Sequence, residues 1–314
     1  VESKVPGQLY GVYDLAVSDQ AVAYVKYTGG RPRLFAYLFA SDQTVEVPVT
    51  ADSAAVGGLD LEGLLLVWQE IKLGPASEVA EARIYSRRLP DGSKTMLVSD
   101  PTCGMPRVAG TVVTWTYTGP WPPNPEELAL IRIEAAAVDE AGEPTGAAAE
   151  LVDGALAYSM GDSVWSYSLS STHVSWETHE AIGTFDPGTY VMDFETMQPT
   201  IVSPEAFAGS LGGNTLVYQE AGQIKLLDLS DGQTGLLDTQ GTFPSAAPTY
   251  AAYFRSTRDS DWQVVARGLT GAYEQVLAAS TGEPPWFLPP ISVSPHRLAF
   301  VVGDRARVFV WQAE

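Results

Sequence analysis

Residues 216–238 read LVYQEAGQIKLLDLSDGQTGLLD, three short apolar runs separated by an AG turn and an SDGQ turn. Within the middle run, Leu226 and Asp228 fall on one face and Leu227 and Leu229 on the other, the period of two expected of a β-strand. SDG is a tight-turn sequence that joins neighbouring antiparallel strands. The stretch therefore predicts three strands of an antiparallel meander. Two or three strands bury little by themselves, so the fold depends on whether this unit recurs.

It recurs seven times. The runs VAYVK (22–26), LVWQE (66–70), VTWTY (113–117), VSWET (174–178), LVYQE (216–220), AAYFR (251–255) and LAFVV (298–302) each set an aromatic residue after small or apolar residues. The aromatics are Tyr24, Trp68, Trp115, Trp176, Tyr218, Tyr253 and Phe300, with successive gaps of 44, 47, 61, 42, 35 and 47 residues. Five of the six match the period of a four-stranded propeller blade. Paired β-runs joined by tight turns follow the aromatic runs: RLFAYLFASDQTVEVPVT (33–50), RIYSRRLPDGSKTMLVSD (83–100) and TYVMDFETMQPTIVS (189–203). Prolines precede several aromatic runs, as in MPRVAGTVVTW and FPSAAPTYAAYF. Each unit reads as strands A–B–C–D, with the aromatic on strand B packed between neighbouring blades. The 61-residue gap is assigned to a long C–D connection plus an outer strand within 139–163. ALAYSM, around Tyr158, is rejected as a B strand, because accepting it would leave TYVMDFETMQPTIVS without its role as a C–D hairpin.

The ends of the chain complement each other. After Phe300 only RVFVWQ (307–312) remains, so the last unit lacks a D strand, and LYGVYD (9–14) is free to supply it. Pairing first and last strands removes exposed sheet edges. The expected architecture is all-β: one seven-bladed propeller domain over residues 1–314, closed by an N-terminal strand. Six blades are the alternative, if AAYFR merges with its short neighbour.

Composition fits many turns and a large interior. The 314 residues include 29 Gly, 22 Pro, 8 Trp, 14 Tyr and 10 Phe, and 45% are hydrophobic. With 18 Lys and Arg against 38 Asp and Glu, the net charge is −20. Phosphate neutralisation needs clustered cations, so nucleic acid and anionic lipid are not expected partners. No run of 18 apolar residues predicts membrane insertion. Cys103 is the only cysteine, which excludes an internal disulfide and a multi-cysteine metal site. The chain starts VESKV, without Met or a signal-peptide pattern, and is read as an extracytoplasmic protein whose targeting segment has been removed.

The LVYQE unit and PPISVSPHRLAFVV (289–302) resemble the TolB-type propeller repeat, in which SPDGxxLAF begins a unit; His296 stands where that pattern has Asp. The resemblance spans essentially the whole chain. It implies a protein-interaction platform, the commonest role of that family, some of whose repeats are fused to hydrolases. The GH…WD pairing of WD40 repeats and the S-x-D-x-G-x-T-W box of sialidase-like propellers are missing.

In an antiparallel meander the B–C and D–A connections share one end of every blade. The long ones are 71–82, 118–127, 179–188, 256–262 and 281–290, and variable loops on a rigid scaffold are where binding resides. Candidate partner-binding residues there are Trp121 and Trp286, each flanked by prolines, with Phe185, Asp186, Asp259 and Asp261. Rigid tryptophans of this kind stack on sugars, anchor protein partners or plug the gap between blades. Asp100, Glu180, Asp186, Asp259 and Asp261 are the acidic candidates for a glycosidase pair or a calcium site, neither of which follows from sequence. His173 and His179 share strand parity with Glu177, but a four-residue step along a strand is about 13 Å, too far for one metal. AGSLG around Ser210 lacks the strand-to-helix context of a nucleophile elbow. No catalytic residue, metal or cofactor is assigned, calcium alone being kept open. The functional expectation is a non-catalytic binding module that takes a protein partner or polysaccharide on the long-loop face. A carbohydrate-active enzyme with funnel carboxylates and a structural component of a cell-surface assembly are the alternatives.

Overall fold

The computed structural model describes residues 9–10, 12–118, 129–158, 167–178, 186–257, 261–271, 273–280, 291–302 and 305–311. These form 28 strands arranged as seven four-stranded antiparallel sheets, and no helix. β1 (Leu9–Tyr10) stands apart and is taken up last. Blade 1 is β2 (Val12–Val17), β3 (Ala21–Thr28), β4 (Arg31–Leu38) and β5 (Gln43–Val47). Blade 2 is β6 (Ala55–Glu62), β7 (Leu65–Leu73), β8 (Val79–Arg88) and β9 (Thr95–Ser99). Blade 3 is β10 (Cys103–Ala109), β11 (Val112–Thr118), β12 (Ala129–Ala137) and β13 (Ala149–Tyr158). Blade 4 is β14 (Tyr167–Leu169), β15 (His173–Thr178), β16 (Gly188–Asp193) and β17 (Pro199–Ser203). Blade 5 is β18 (Ala206–Gly212), β19 (Thr215–Glu220), β20 (Gln223–Asp228) and β21 (Thr234–Asp238). Blade 6 is β22 (Gly241–Ala246), β23 (Tyr250–Ser256), β24 (Trp262–Gly268) and β25 (Glu274–Ser280). Blade 7 is β26 (Ser292–Val293), β27 (Arg297–Val302) and β28 (Arg305–Val310), completed by β1.

The molecule is thus a seven-bladed propeller. β1 pairs antiparallel with β28, Leu9 opposite Ala306 and Tyr10 opposite Arg305. The closure is shorter than LYGVYD suggested, because residues from Val12 onward already belong to blade 1. Six blades are excluded: AAYFR lies in its own complete sheet, blade 6. Tyr158 ends the outer strand of blade 3, so the long gap is a C–D connection plus that strand. Residues 71–82 are a correction: they are mostly strand, with β7 and β8 running to Leu73 and from Val79 and a turn of only five residues between them.

Each B-strand aromatic is buried against the preceding blade. Trp68 packs with Ala16 and Leu34 of blade 1, Trp115 with Val67 and Ile84 of blade 2, and Trp176 with Ile133 and Val152 of blade 3. Tyr218 meets Val191, Tyr253 meets Val217 and Ile224, Phe300 meets Tyr250, and Tyr24 meets Ala299 and Val308 across the ring closure. A flat, large side chain fills the wedge that opens between twisted sheets and removes on the order of 2–3 kcal/mol of apolar surface from water. In three blades it also stacks on the aromatic opposite it on strand C: Tyr24 on Phe35, Trp68 on Tyr85, Trp176 on Tyr190, at 5.5–5.7 Å.

The A strands touch one another in succession around the ring and line its axis. In blades 2, 3, 5 and 6 each carries a two-residue bulge whose first residue has positive φ: Gly58 (60°), Met105 (48°), Ala208 (52°) and Phe243 (49°). Pro106 and Pro244, which look like turn signals in the sequence, are the second bulge residues. A bulge leaves the ladder unpaired, so the missing proline N–H costs nothing there. Polar side chains also cross the blade junctions to backbone N–H groups of the A strands. Leu59 donates to Asp14 (3.3 Å), Val108 to Asp60 (2.8 Å), Leu211 to Ser168 (2.9 Å), Ala246 to Ser210 (3.0 Å) and Val17 to Ser292 (2.9 Å).

Candidate binding face

The B–C and D–A connections gather at one end of the ring, as the meander topology requires. Of the residues assigned to this face from sequence, Trp121, Trp286, Phe185 and Asp259 lie outside the described residues, as do Glu180 and His179. Asp186 is exposed just ahead of β16, and its carbonyl accepts from the Thr178 hydroxyl (2.6 Å) and the Tyr190 hydroxyl (3.0 Å). Asp261 precedes β24, and its carbonyl accepts from the Thr257 N–H (2.8 Å). These two belong to blades 4 and 6, with blade 5 between them. Among the described residues no group of three or more His, Cys, Asp or Glu is arranged to hold a metal.

Four of the exposed side chains at this end were not singled out from sequence and belong to blades 1 and 2. Tyr13, near the start of inner strand β2, is 65% exposed, and its ring meets the exposed Tyr27 ring of β3 edge-on at 5.0 Å. One blade further, Leu73 and Val79 face each other across the tip of the β7–β8 hairpin, both exposed. These strands are the longest B–C pair up to this point in the ring, and the Gly74–Glu78 turn closes them. A fifth exposed apolar residue, Phe243, sits in the β22 bulge. Its N–H (3.3 Å) and the Thr242 hydroxyl (2.7 Å) both donate to Gln219 Oε1, which fixes the left-handed backbone that presents the ring. The sequence signal was an aromatic directly before a proline on an A strand, TFP, which reads equally well as a turn.

The buried carboxylates at this end are engaged in holding the structure. Glu70 is fully enclosed and accepts from Trp68, Lys94, Thr50 and Ser53. Burial pushes its carboxyl up, but Lys94 and the other donors outweigh it and hold it below the ordinary value. Glu177 accepts the Ala208 N–H of the next blade's bulge at 2.9 Å. Asp238 accepts from the Gln240 N–H, the Tyr253 hydroxyl and Arg255; these overcome burial and lower its carboxyl. On the axis, burial raises Asp14 and Asp60 against the pull of backbone N–H groups and Arg107. Each oxygen of this pair still accepts a backbone N–H, from Leu15 and Leu59 or from Leu61 and Val108. Asp100 caps its own turn through Thr102.

The remaining sequence candidates are structural in the same sense. Ser210, in AGSLG, lies in β18 and accepts the Ala246 N–H, with no helix following. Cys103 is buried, its thiol donating to the Ala82 carbonyl and pushed up to about 11 by burial. His173 lies 3.4 Å from Asp193 and 2.8 Å from the Thr172 hydroxyl, and His296 is 74% exposed in an A–B turn at the opposite end.

No protein-family profile and no curated protein sequence matches the chain. Solved structures do. TolB from Acinetobacter baumannii is 12% identical, with 91% of this chain and 75% of that chain covered and a TM-score of 0.50. The fold is that of the TolB-like propellers. The β-propeller domain of the Trilobed protease from Pyrococcus furiosus, described as having an open velcro topology, gives 9% identity, 98% and 95% coverage and a TM-score of 0.61. Pyrococcus horikoshii acylaminoacyl peptidase gives 9% identity and a TM-score of 0.63; this chain is covered over 99% of its length but spans only 53% of that enzyme. At these identities the likeness concerns fold alone. It also brings out a difference, because here β1 closes the ring.

Proposed function

We propose that this TolB-like propeller is a non-catalytic, extracytoplasmic binding module whose B–C and D–A end receives a protein partner. The observation that carries this reading is the division of labour at that end. The buried carboxylates pin strands and turns, whereas Tyr13, Tyr27, Leu73, Val79 and Phe243 are large apolar or aromatic side chains left exposed on strands there. Tyrosines held on strands lose little rotamer freedom on contact, which favours them as interface anchors, with the neighbouring aliphatics adding apolar contact area. A glycosidase acid–base pair needs carboxyl groups open to substrate, and Glu70 and Asp238, both of whose oxygens are held by donors, do not offer one.

The test is site-specific photocrosslinking in the producing cell, with a benzophenone side chain at position 27 or 79 and, as the opposite-end control, at Met197 in a C–D turn. A discrete protein adduct from 27 and 79 but not 197, lost on Tyr13→Ala, is expected. Adducts equally frequent from both ends, adducts removed by polysaccharide-degrading enzymes, or turnover of a polysaccharide by the purified protein would each overturn the reading.

A further inference from the structure

An open surface cleft between blades 5 and 6, across the ring from the Tyr13–Tyr27 rim, has its own chemistry. It offers about 390 Å³ between residues 236–240 of blade 5 and Arg255 and Arg267 of blade 6. That volume suits a small organic molecule or the end of a peptide. In a chain of net charge −20, two guanidinium groups lining one cavity are an uncommon concentration of cations.

The two edges of Arg255 differ in what they meet. One edge, Nε and Nη2, donates to Asp238 Oδ2 at 2.8 and 2.5 Å. Asp238 is 5% exposed and anchored by the Tyr253 hydroxyl at 2.7 Å, so this side holds the guanidinium in place. The other edge donates through Nη1 and Nη2 to Glu274 Oε1 and Oε2, at 2.8 and 2.7 Å, the parallel two-bond geometry with which arginine recognises carboxylates. Glu274 begins outer strand β25, and its side chain is 34% exposed. Arg267 Nη1 lies 3.5 Å from the same carboxylate, and its buried Nε has no hydrogen-bond partner among the described residues. Leu236, 56% exposed, forms an apolar wall on the other side of the cleft.

We propose that this cleft binds a carboxylate carried on a short apolar chain, and that Glu274 is a resident occupant of the seat, displaced by the ligand. Arg255 and Arg267 would grip the carboxylate while Leu236 covers the apolar portion. A rigid, pre-aimed Arg255 makes the exchange economical: only Glu274, on an edge strand, has to move. The proposal does not rest on the aromatic rim and survives if that reading fails.

Calorimetric titration distinguishes the outcomes, with 4-methylpentanoate as the free acid, Gly-Gly-Leu as a peptide acid and Gly-Gly-leucinamide as its neutral counterpart. Both acids, or one of them, should bind at millimolar concentration or better and the amide should not; the stronger acid identifies the source as a metabolite or a peptide end. Glu274→Gln should tighten acid binding about tenfold by removing the competing charge, and Arg267→Met should weaken it by a similar factor. Arg267→Met leaves the Arg255–Asp238 pair intact, and an unchanged thermal midpoint verifies that it folds. Equal binding of acid and amide, affinity unchanged in Arg267→Met, or no binding even by Glu274→Gln would overturn the proposal.

Discussion

Glu70 shows how much one residue of the repeat carries. Its Oε1 accepts from Trp68 Nε1 (2.9 Å) and Lys94 Nζ (2.6 Å), and its Oε2 from the Thr50 N–H (3.0 Å) and the Ser53 hydroxyl (2.8 Å). One carboxylate thereby ties strand B of blade 2, its C–D turn and the connection from blade 1. Glu70→Gln would turn an amide N–H₂ toward two of these donors and leave Lys94 without its counter-charge, so a loss of about 3 kcal/mol in urea unfolding at neutral pH is expected. The sign with pH follows from the lowered carboxyl. Its stabilisation is complete above the ordinary value of 4.5 and is lost as pH falls through the lower native-state value. The gap between wild type and Glu70→Gln should therefore narrow below that range, and a gap unchanged down to acid unfolding would contradict the assignment. The residue after the aromatic has a comparable task. Gln69 donates to the Cys103 carbonyl (2.8 Å), Glu177 accepts from Ala208, and Gln219 accepts from Thr242 and Phe243, each reaching the bulged strand of the next blade.

At the level of elements, strands and tight turns were legible because their signals are local: period-two alternation, the AG and SDG turns, and an aromatic at each B strand. The bulges were not. Pro106 and Pro244 carry the same local signal in a turn as in a bulge, and only the neighbouring blade, which bonds the distorted strand, distinguishes them. Close approach of elements is similarly invisible until the blades are assembled. A Cβ on Gly212, at the end of β18, would lie 2.4 Å from the Ala247 carbonyl oxygen and 2.9 Å from its nitrogen, both backbone atoms of blade 6. Gly212→Ala must push blades 5 and 6 apart and is expected to cost about 3 kcal/mol. A substitution that leaves the unfolding midpoint unmoved would show that this junction is looser than described.

For the whole molecule, closure depends on the pairing of two residues, Leu9 and Tyr10, with β28. A chain lacking residues 1–10 keeps all seven B-strand aromatics and six complete blades, so it should still fold. Its last blade then ends in an unpaired edge, and amide exchange should accelerate in β27 and β28 while blades 3 to 5 keep their protection. Uniform acceleration around the ring would mean that closure is coupled to every blade rather than to its own.

Sequence by itself pointed to seven blades, with six left open until the sheets were seen, and determined the strand order within each, the aromatic between them and the origin of the closing strand. These rest on contacts within one blade or on a repeat long enough to be counted. Tertiary structure alone decided which polar groups meet. Ser292 receives the N–H of Val17, Asp60 that of Val108, and Arg255 joins Asp238 to Glu274, pairs that lie far apart in sequence or across a blade junction. The same holds for the surfaces that matter for function. The Tyr13–Tyr27 and Leu73–Val79 rim and the arginine cleft exist only where neighbouring strands or blades come together. A repeat specifies how each blade folds, but its partners across a junction sit at positions where the repeat is free to vary.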